Sequence, residues 1–338
     1  MPPALPTTAD ALVAQSWGFV TDRALQTAAE LGIPDLVASG PLSLKALAEA
    51  TNTRPDALRR LLRPLVGIGI FRLGEDDTYG RTQESALLES DHQNTLRPWF
   101  RLMYRVTYRM LDDPLSTLRT GRPSFEERFG NTYFAHMAQH PEDSAVFHAA
   151  MASFTRRTAR AVAESYDFSA AGSIVDVGGG LGTLVVDILN RHPEPTGTVF
   201  DLPDLAGPAR AALDAAGLHE RATVASGDFF AAVPQGRTHL LSWILHDWDD
   251  ERALTVLRRC REAQDGQDGR LLIVEAVLAE QPSADMTTAL DLVMLFGLGG
   301  RERTEAEYGA LLKEAGFQHL RTLPLEAPGM YVIEARPH

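Results

Sequence analysis

Val175-Asp176-Val177-Gly178-Gly179-Gly180-Leu181-Gly182 is the stretch on which the reading of this chain turns. An apolar, β-branched run stops at a cluster of glycines, and Leu184–Arg191 beyond it carries the apolar spacing of a helix. Strand, glycine loop and helix in that order let a ligand approach the backbone closely, because glycine has no side chain to hold it off. A dinucleotide fingerprint needs glycine at positions 178, 180 and 183, but position 183 is Thr183, and the Gly-Lys-Ser/Thr of a phosphate loop is also missing. The loop therefore suits a ligand without a pyrophosphate.

Toward the C-terminus, Ser173–Val177, Thr198–Phe200, Ala222–Ser226, Thr238–Trp243 and Arg270–Val274 read as strands. Leu184–Arg191, Leu205–Ala216, Asp250–Ala263 and Glu305–Ala315 alternate with them as helices. Alternation of this kind predicts an α/β fold with a doubly wound parallel sheet, here Rossmann-like. The alternation ends with Gln318–Pro324 and Gly329–Arg336, joined by Leu325–Pro328, which predicts an antiparallel C-terminal hairpin at the sheet edge. Ligands of open sheets bind beyond the carboxyl ends of the strands. Gly178, Asp201, Asp228, His246 and Glu275 each follow one of the five strands, so they converge on one rim.

Asp201 lies 23 residues past Gly178, where a carboxylate can accept both hydroxyls of a ribose; its alternative is capping the helix at Leu205. Asp228 and Phe229 offer a carboxylate and an aromatic face to an adenine, while Phe230 reads as a hydrophobic plug. His246, in Leu245-His246-Asp247-Trp248-Asp249-Asp250, is either a structural histidine or a base. Thr304 and Glu307 form a capping box, Asp249 a helix cap, and Trp248 a packing residue.

Upstream of the sheet the chain is mostly helical. Leu12, Val13, Trp17, Val20, Ala24, Leu25, Ala28 and Leu31 recur at helical steps from Ala9 to about Val37, a stripe that needs a partner surface. Two short helices, a third over Pro55–Gly69 and a β-hairpin around Gly74-Glu75-Asp76-Asp77 make a winged helix-turn-helix. The third helix carries Arg54, Arg59, Arg60 and Arg63 against Asp56, yet residues 1–90 hold eight Lys/Arg and eleven Asp/Glu, and the wing tip is acidic. Like charge at the wing disfavours a nucleic-acid partner. The expected division is a winged-helix dimerisation domain over 1–97, a helical connector over 98–171 whose aromatic residues contribute to a small-molecule pocket, and a ligand-binding domain over 172–338.

The whole chain of 338 residues has 32 Lys/Arg against 45 Asp/Glu, a formal charge of −13, which likewise argues against phosphate backbones and anionic lipid. One cysteine, Cys260, excludes an intrachain disulfide and a Cys-rich zinc site, and no His/carboxylate cluster has ligand spacing, so no metal is expected. MPPALPTTADALVAQ lacks the basic and apolar regions of a secretory signal, and no apolar run is long enough to span a bilayer, so the expectation is a cytoplasmic protein with no membrane partner.

VDVGGGLG, FDLP, GDFF, LSWILHDWDDE and GGRERTEAEY, in this order and spacing, resemble the class I S-adenosylmethionine-dependent O-methyltransferases of the small-molecule type, the caffeate and bacterial antibiotic-biosynthesis enzymes. The likeness covers nearly the whole chain. It implies S-adenosyl-L-methionine as cofactor and S-adenosyl-L-homocysteine as product, a homodimer through the N-terminal domain, and an aromatic hydroxylated acceptor. Cofactor contacts would fall to Gly178, Gly180, Asp201, Leu202, Asp228, Phe229, Ser242 and Trp243; Ser242 departs from a lysine common in plant members. His246 would be the general base, with Glu275 and Glu302 flanking it to fix its tautomer, and Phe147, Met151, Asp247 and Met294 would meet the acceptor. Two other readings stay open here: a relative repurposed for hydroxylation or decarboxylation, and a DNA-binding regulator that senses the cofactor.

Overall fold

The computed structural model describes residues 8–264, 268–327 and 329–338; Pro328 of the C-terminal hairpin turn and residues 1–7 of the N-terminal reading lie outside them. Two units divide the chain, one of residues 1–109 and 137–154, the other of residues 110–136 and 155–338. The division falls inside the expected connector, not at its ends.

In the N-terminal unit the expected first helix is three: Ala9–Ser16, Gly18–Glu30 and Ile33–Leu36, the last starting from Gly32 in the left-handed region. The apolar stripe splits with them. Ala28, Ile33 and Val37 are buried with Leu44, Leu47, Leu58, Leu62 and Leu65, whereas Leu12, Val13, Trp17 and Val20 are exposed at 59, 58, 63 and 45%. Strands β1 (Leu42–Ser43), β2 (Arg72–Leu73) and β3 (Thr78–Gly80) form a three-stranded antiparallel sheet in the order β1-β3-β2. Helices Leu44–Ala50 and Pro55–Gly67 complete the winged module. Arg59 on the longer helix pairs with Asp77 of the wing at 2.7 Å and Arg54 with Asp56 at 3.0 Å, so two of the four arginines are already committed within the module.

The C-terminal unit is built on one mixed sheet. Its strands are β4 (Ser173–Val177), β5 (Thr196–Asp201), β6 (Ala222–Ser226), β7 (Thr238–Ser242), β8 (Arg270–Leu278), β9 (Arg303–Thr304), β10 (Phe317–Pro324) and β11 (Met330–Pro337). The order is β10-β11-β8-β7-β4-β5-β6, with β9 paired to β8. β4 to β8 run parallel, and β11 pairs antiparallel with both β8 and β10. Parallel strands covered on both faces are apolar on both. Val175, Leu241, Ile273 and Ile333 pack with helix Asp250–Ala263 and with Tyr308 and Leu312 on one side. Their neighbours Ile174, Leu240, Leu272 and Val332 pack with Val162, Phe168, Leu184 and Ile188 on the other. Cys260 lies in the first of these cores, where burial pushes its thiol up to about 12 and leaves it chemically quiet. From β4 the chain goes outward to β5 and β6, then crosses back to β7 and β8, so strand order reverses between β4 and β7. A ligand crevice opens at such a reversal.

Candidate active site

The loops after β4 and β7 flank that reversal. Gly178 donates its N–H to the Phe200 carbonyl at 2.8 Å, tying the β4 loop to β5. Gly180 has φ +57°, and a Cβ built on it meets no heavy atom within 4 Å, so the loop presents bare backbone to open space. Its N–H donates to Asp201 Oδ2 at 2.8 Å, and the Leu202 N–H donates to Asp201 Oδ1 at 2.7 Å. Leu202 is itself exposed, at 55%. Asp228 is exposed and accepts the Phe230 N–H at 2.8 Å, while Phe229 is half-buried beside Phe230 with ring centroids 4.8 Å apart.

Two buried oxygens at this crevice, Asp176 Oδ2 and Ser242 Oγ, have no hydrogen-bond partner among the described residues. Burial, with Asp201 nearby, pushes the Asp176 carboxyl up to about 7. Unpaired buried acceptors and an open glycine backbone suit a ligand that brings donors of its own.

Trp243, the residue after β7, has φ +57°, an unusual and strained conformation for an aromatic side chain. Its ring centroid stands 5.2 Å from that of His246. His246 lies in the short turn Leu245–Asp247 and is 6% exposed. Its Nδ1 is 2.7 Å from Glu302 Oε1, and its Nε2 is 3.4 Å from Asp247 Oδ1. Burial depresses the imidazole, but Glu302 and Asp247, with a weaker push from Glu275, carry it up to about 10. Burial raises the Asp247 carboxyl to about 7, His246 pulling it down against Glu275 and Glu302. Glu302 is raised as well, by burial first.

Glu275 has a different task from the one expected. β8 continues through it to Leu278 and does not stop at Val274, so its carboxylate is fully buried within a strand. Oε1 accepts the N–H groups of Ile244 (2.9 Å) and Leu245 (2.5 Å), and Oε2 accepts the Tyr308 hydroxyl at 2.5 Å. These hydrogen bonds brace the turn that carries His246; the carboxylate makes none to the imidazole.

Glu302 is brought to the histidine by contacts that the sequence did not announce. Arg301 donates its N–H to the His246 carbonyl at 2.9 Å, and the Glu302 N–H goes to Asp291 Oδ1 at 2.8 Å. Gly300 makes the approach possible, since a Cβ there would lie 2.1 Å from the His246 carbonyl oxygen. Asp291 and the buried Met294 share helix Met286–Gly297. Trp248 does more than pack: it stacks on Phe134 (5.5 Å), meets Phe230 edge-on (4.9 Å), and with them lines a cavity of about 370 Å³. Phe230 thus borders a cavity where a plug was expected. Phe147 and Met151 are half-buried in helix Pro141–Ser165, on residues of the N-terminal unit. Among the described residues no group of three or more His, Cys, Asp and Glu side chains is placed to hold a metal, and no helix is long and apolar enough to cross a membrane.

Comparison with known proteins adds to this geometry. Residues 108–318 match the O-methyltransferase domain family, and residues 14–91 the O-methyltransferase dimerisation domain. Phenazine O-methyltransferase PhzM of Lysobacter antibioticus is 41% identical over 95% of this chain and 94% of its own. Aclacinomycin 10-hydroxylase RdmB of Streptomyces purpurascens is 37% identical over 91% of this chain and 84% of its own. A crystal structure of the O-methyltransferase NcsB1 from neocarzinostatin biosynthesis, in complex with S-adenosylmethionine and 2-hydroxy-5-methyl naphthoic acid, superposes with a TM-score of 0.83 at 34% identity, covering 94% of this chain and 96% of that one.

Proposed function

The chain belongs to the O-methyltransferase family, and from that premise we propose that His246 is the general base of an S-adenosylmethionine-dependent methylation of a phenolic or enolic hydroxyl on an aromatic natural product. When bound, the cofactor supplies an electrophilic methyl on a positively charged sulfur. Asp201 would hold its ribose, Asp228 and Phe229 its adenine, and the backbone at Gly178 and Gly180, with Leu202, Ser242 and Trp243, the remainder. The open cradle at Gly180 and the unpaired Asp176 and Ser242 oxygens support that assignment.

The observation that carries the proposal is the buried His246–Glu302 pair at 2.7 Å. An accepting carboxylate fixes the proton on Nδ1 and leaves Nε2 as the basic nitrogen. The flanking carboxylates raise the imidazole well above an ordinary histidine and toward the acidity of a phenol, which favours proton transfer between the two. An aliphatic alcohol is a much weaker acid and would not be matched. Asp247, 3.4 Å from Nε2, would meet the same hydroxyl. Met294 would border the acceptor.

In this reading residues 172–338 hold the cofactor, 98–171 are the connector, and 1–97 form a homodimer through helices Ala9–Ser16 and Gly18–Glu30. The exposed Leu12, Val13, Trp17, Phe19 and Val20 support that contact. The test is kinetic: His246→Asn should lower methyl transfer to a panel of phenols by about 10²–10⁴ while cofactor affinity stays within about twofold. Full activity in that variant rejects His246 as the base. The resemblance to a hydroxylase makes the product worth weighing: mass spectrometry showing oxygen gained in place of methyl would favour the repurposed reading.

A further inference from the structure

Directly after Glu302 stands the largest fully buried side chain of the described residues, Arg303, at 0% exposure. Its guanidinium makes contacts on two elements, the helix that starts at Asp250 and the turn 245–248. Nε and Nη2 donate to Asp250 Oδ1 at 3.0 and 2.8 Å, at the start of helix Asp250–Ala263. Nη1 donates to the Leu245 carbonyl at 2.9 Å, and Nη2 to the Trp248 carbonyl at 2.9 Å. The two carbonyls bracket His246 and Asp247 in the chain. The backbone bond from Arg301 to the His246 carbonyl closes the other side. The segment that delivers Glu302 is therefore stitched to the histidine turn both before and after the carboxylate.

We propose that Arg303 is a positioning residue for the base, its planar fork holding the turn 245–248 in register with Glu302 so that the His246–Glu302 bond forms. This rests on His246 being the general base. Arg303 touches neither ring nor carboxylate of that pair, and it acts through the carbonyls on either side. Lysine, a single point donor on a flexible stem, has no fork with which to reach Asp250 and both carbonyls together.

The argument predicts non-additivity. Arg303→Lys alone should lower kcat for methyl transfer by about 10–100-fold, with KM for the cofactor within about threefold. In a Glu302→Gln background, where the bond it protects is already lost, Arg303→Lys should cost less than about threefold. An equal loss in both backgrounds overturns the proposal, because a residue that merely held the fold would cost the same in each. Should Arg303→Lys not fold, Asp250→Asn is measured through the same cycle, since the Asp250 side chain is 53% exposed. Coupling to Glu302→Gln supports the proposal and additivity rejects it. His246→Asn in the same series separates the two claims: loss of activity there with an additive Arg303 cycle defeats only the positioning role, and retained activity defeats the base itself.

Discussion

Glu302→Gln removes one negative charge and nothing of size from a bond of 2.7 Å to His246 Nδ1. Opposite charges about 4 Å apart at an effective dielectric of about 20 interact by about 4 kcal/mol. At 1.36 kcal/mol per pH unit that is about 3 units, the pull of Asp247 being common to both proteins. His246 stands near 10 in the native enzyme, so the variant imidazole should titrate in the neutral range. Two effects on rate then oppose each other. More of the base is free at neutral pH, but it is weaker, and its tautomer is no longer dictated, because an amide can offer either a donor or an acceptor. Loss of the orienting carboxylate dominates in comparable base dyads, so kcat should fall by about 10²–10⁴. The assay is kcat/KM against pH with labelled S-adenosylmethionine and a phenol, alongside calorimetric cofactor binding. Wild-type rates should rise with pH through the neutral range, and the same limb should move to lower pH in Glu302→Gln with cofactor affinity unchanged. Superimposable limbs for the two proteins, with His246→Asn inactive, would refute the electrostatic argument.

Three further outcomes are expected. Gly300→Ala places a methyl 2.1 Å from the His246 carbonyl oxygen, and overpacking against backbone should cost about 1–3 kcal/mol or more; a Tm equal to wild type counts against the tight loop approach. The native pKa of His246 is raised to about 10, so its ionic stabilisation is complete below its unfolded value near 6.5 and lost as pH climbs through about 10. The Tm deficit of His246→Asn should therefore shrink as pH rises over that window, and a deficit that is flat or grows would contradict it. Trp17 is 63% exposed on the N-terminal apolar stripe, so Trp17→Glu should weaken self-association by at least about tenfold in sedimentation at micromolar concentration; an unchanged dimer rejects this surface.

Strands announced by β-branched runs between turn residues were legible, and β4 and β6 begin and end where the pattern puts them. β8 was cut short because a glutamate inside an apolar run reads as a boundary; only the three donors gathered on Glu275 from elsewhere explain its burial. Helix Met286–Gly297 went unseen, since MTTALDLVMLFG is apolar almost all round and shows little periodicity. The connector reads as helical throughout, yet it is broken after Thr120 and Phe129 by glycines with positive φ, and Met103–Thr107 forms a π-turn. At the site, His246 and Glu302 are residues that residue type and resemblance single out. Tyr308, Asp291 and Arg303 support them through contacts 11 to 58 residues away along the chain, which no local pattern encodes.

Trp243 gives the site a conflict of interest. At φ +57° its backbone occupies a region that glycine enters freely and an L-side chain enters at a cost of about 1–2 kcal/mol. Its indole ring stands 5.2 Å from the imidazole of His246. A glycine there would ease the backbone but give up the packing of the indole against the core of the sheet, a loss of about 3 kcal/mol or more that outweighs the strain relieved. Trp243→Gly should therefore lower Tm together with methyl transfer, and the strained backbone is the cost of keeping that ring in place.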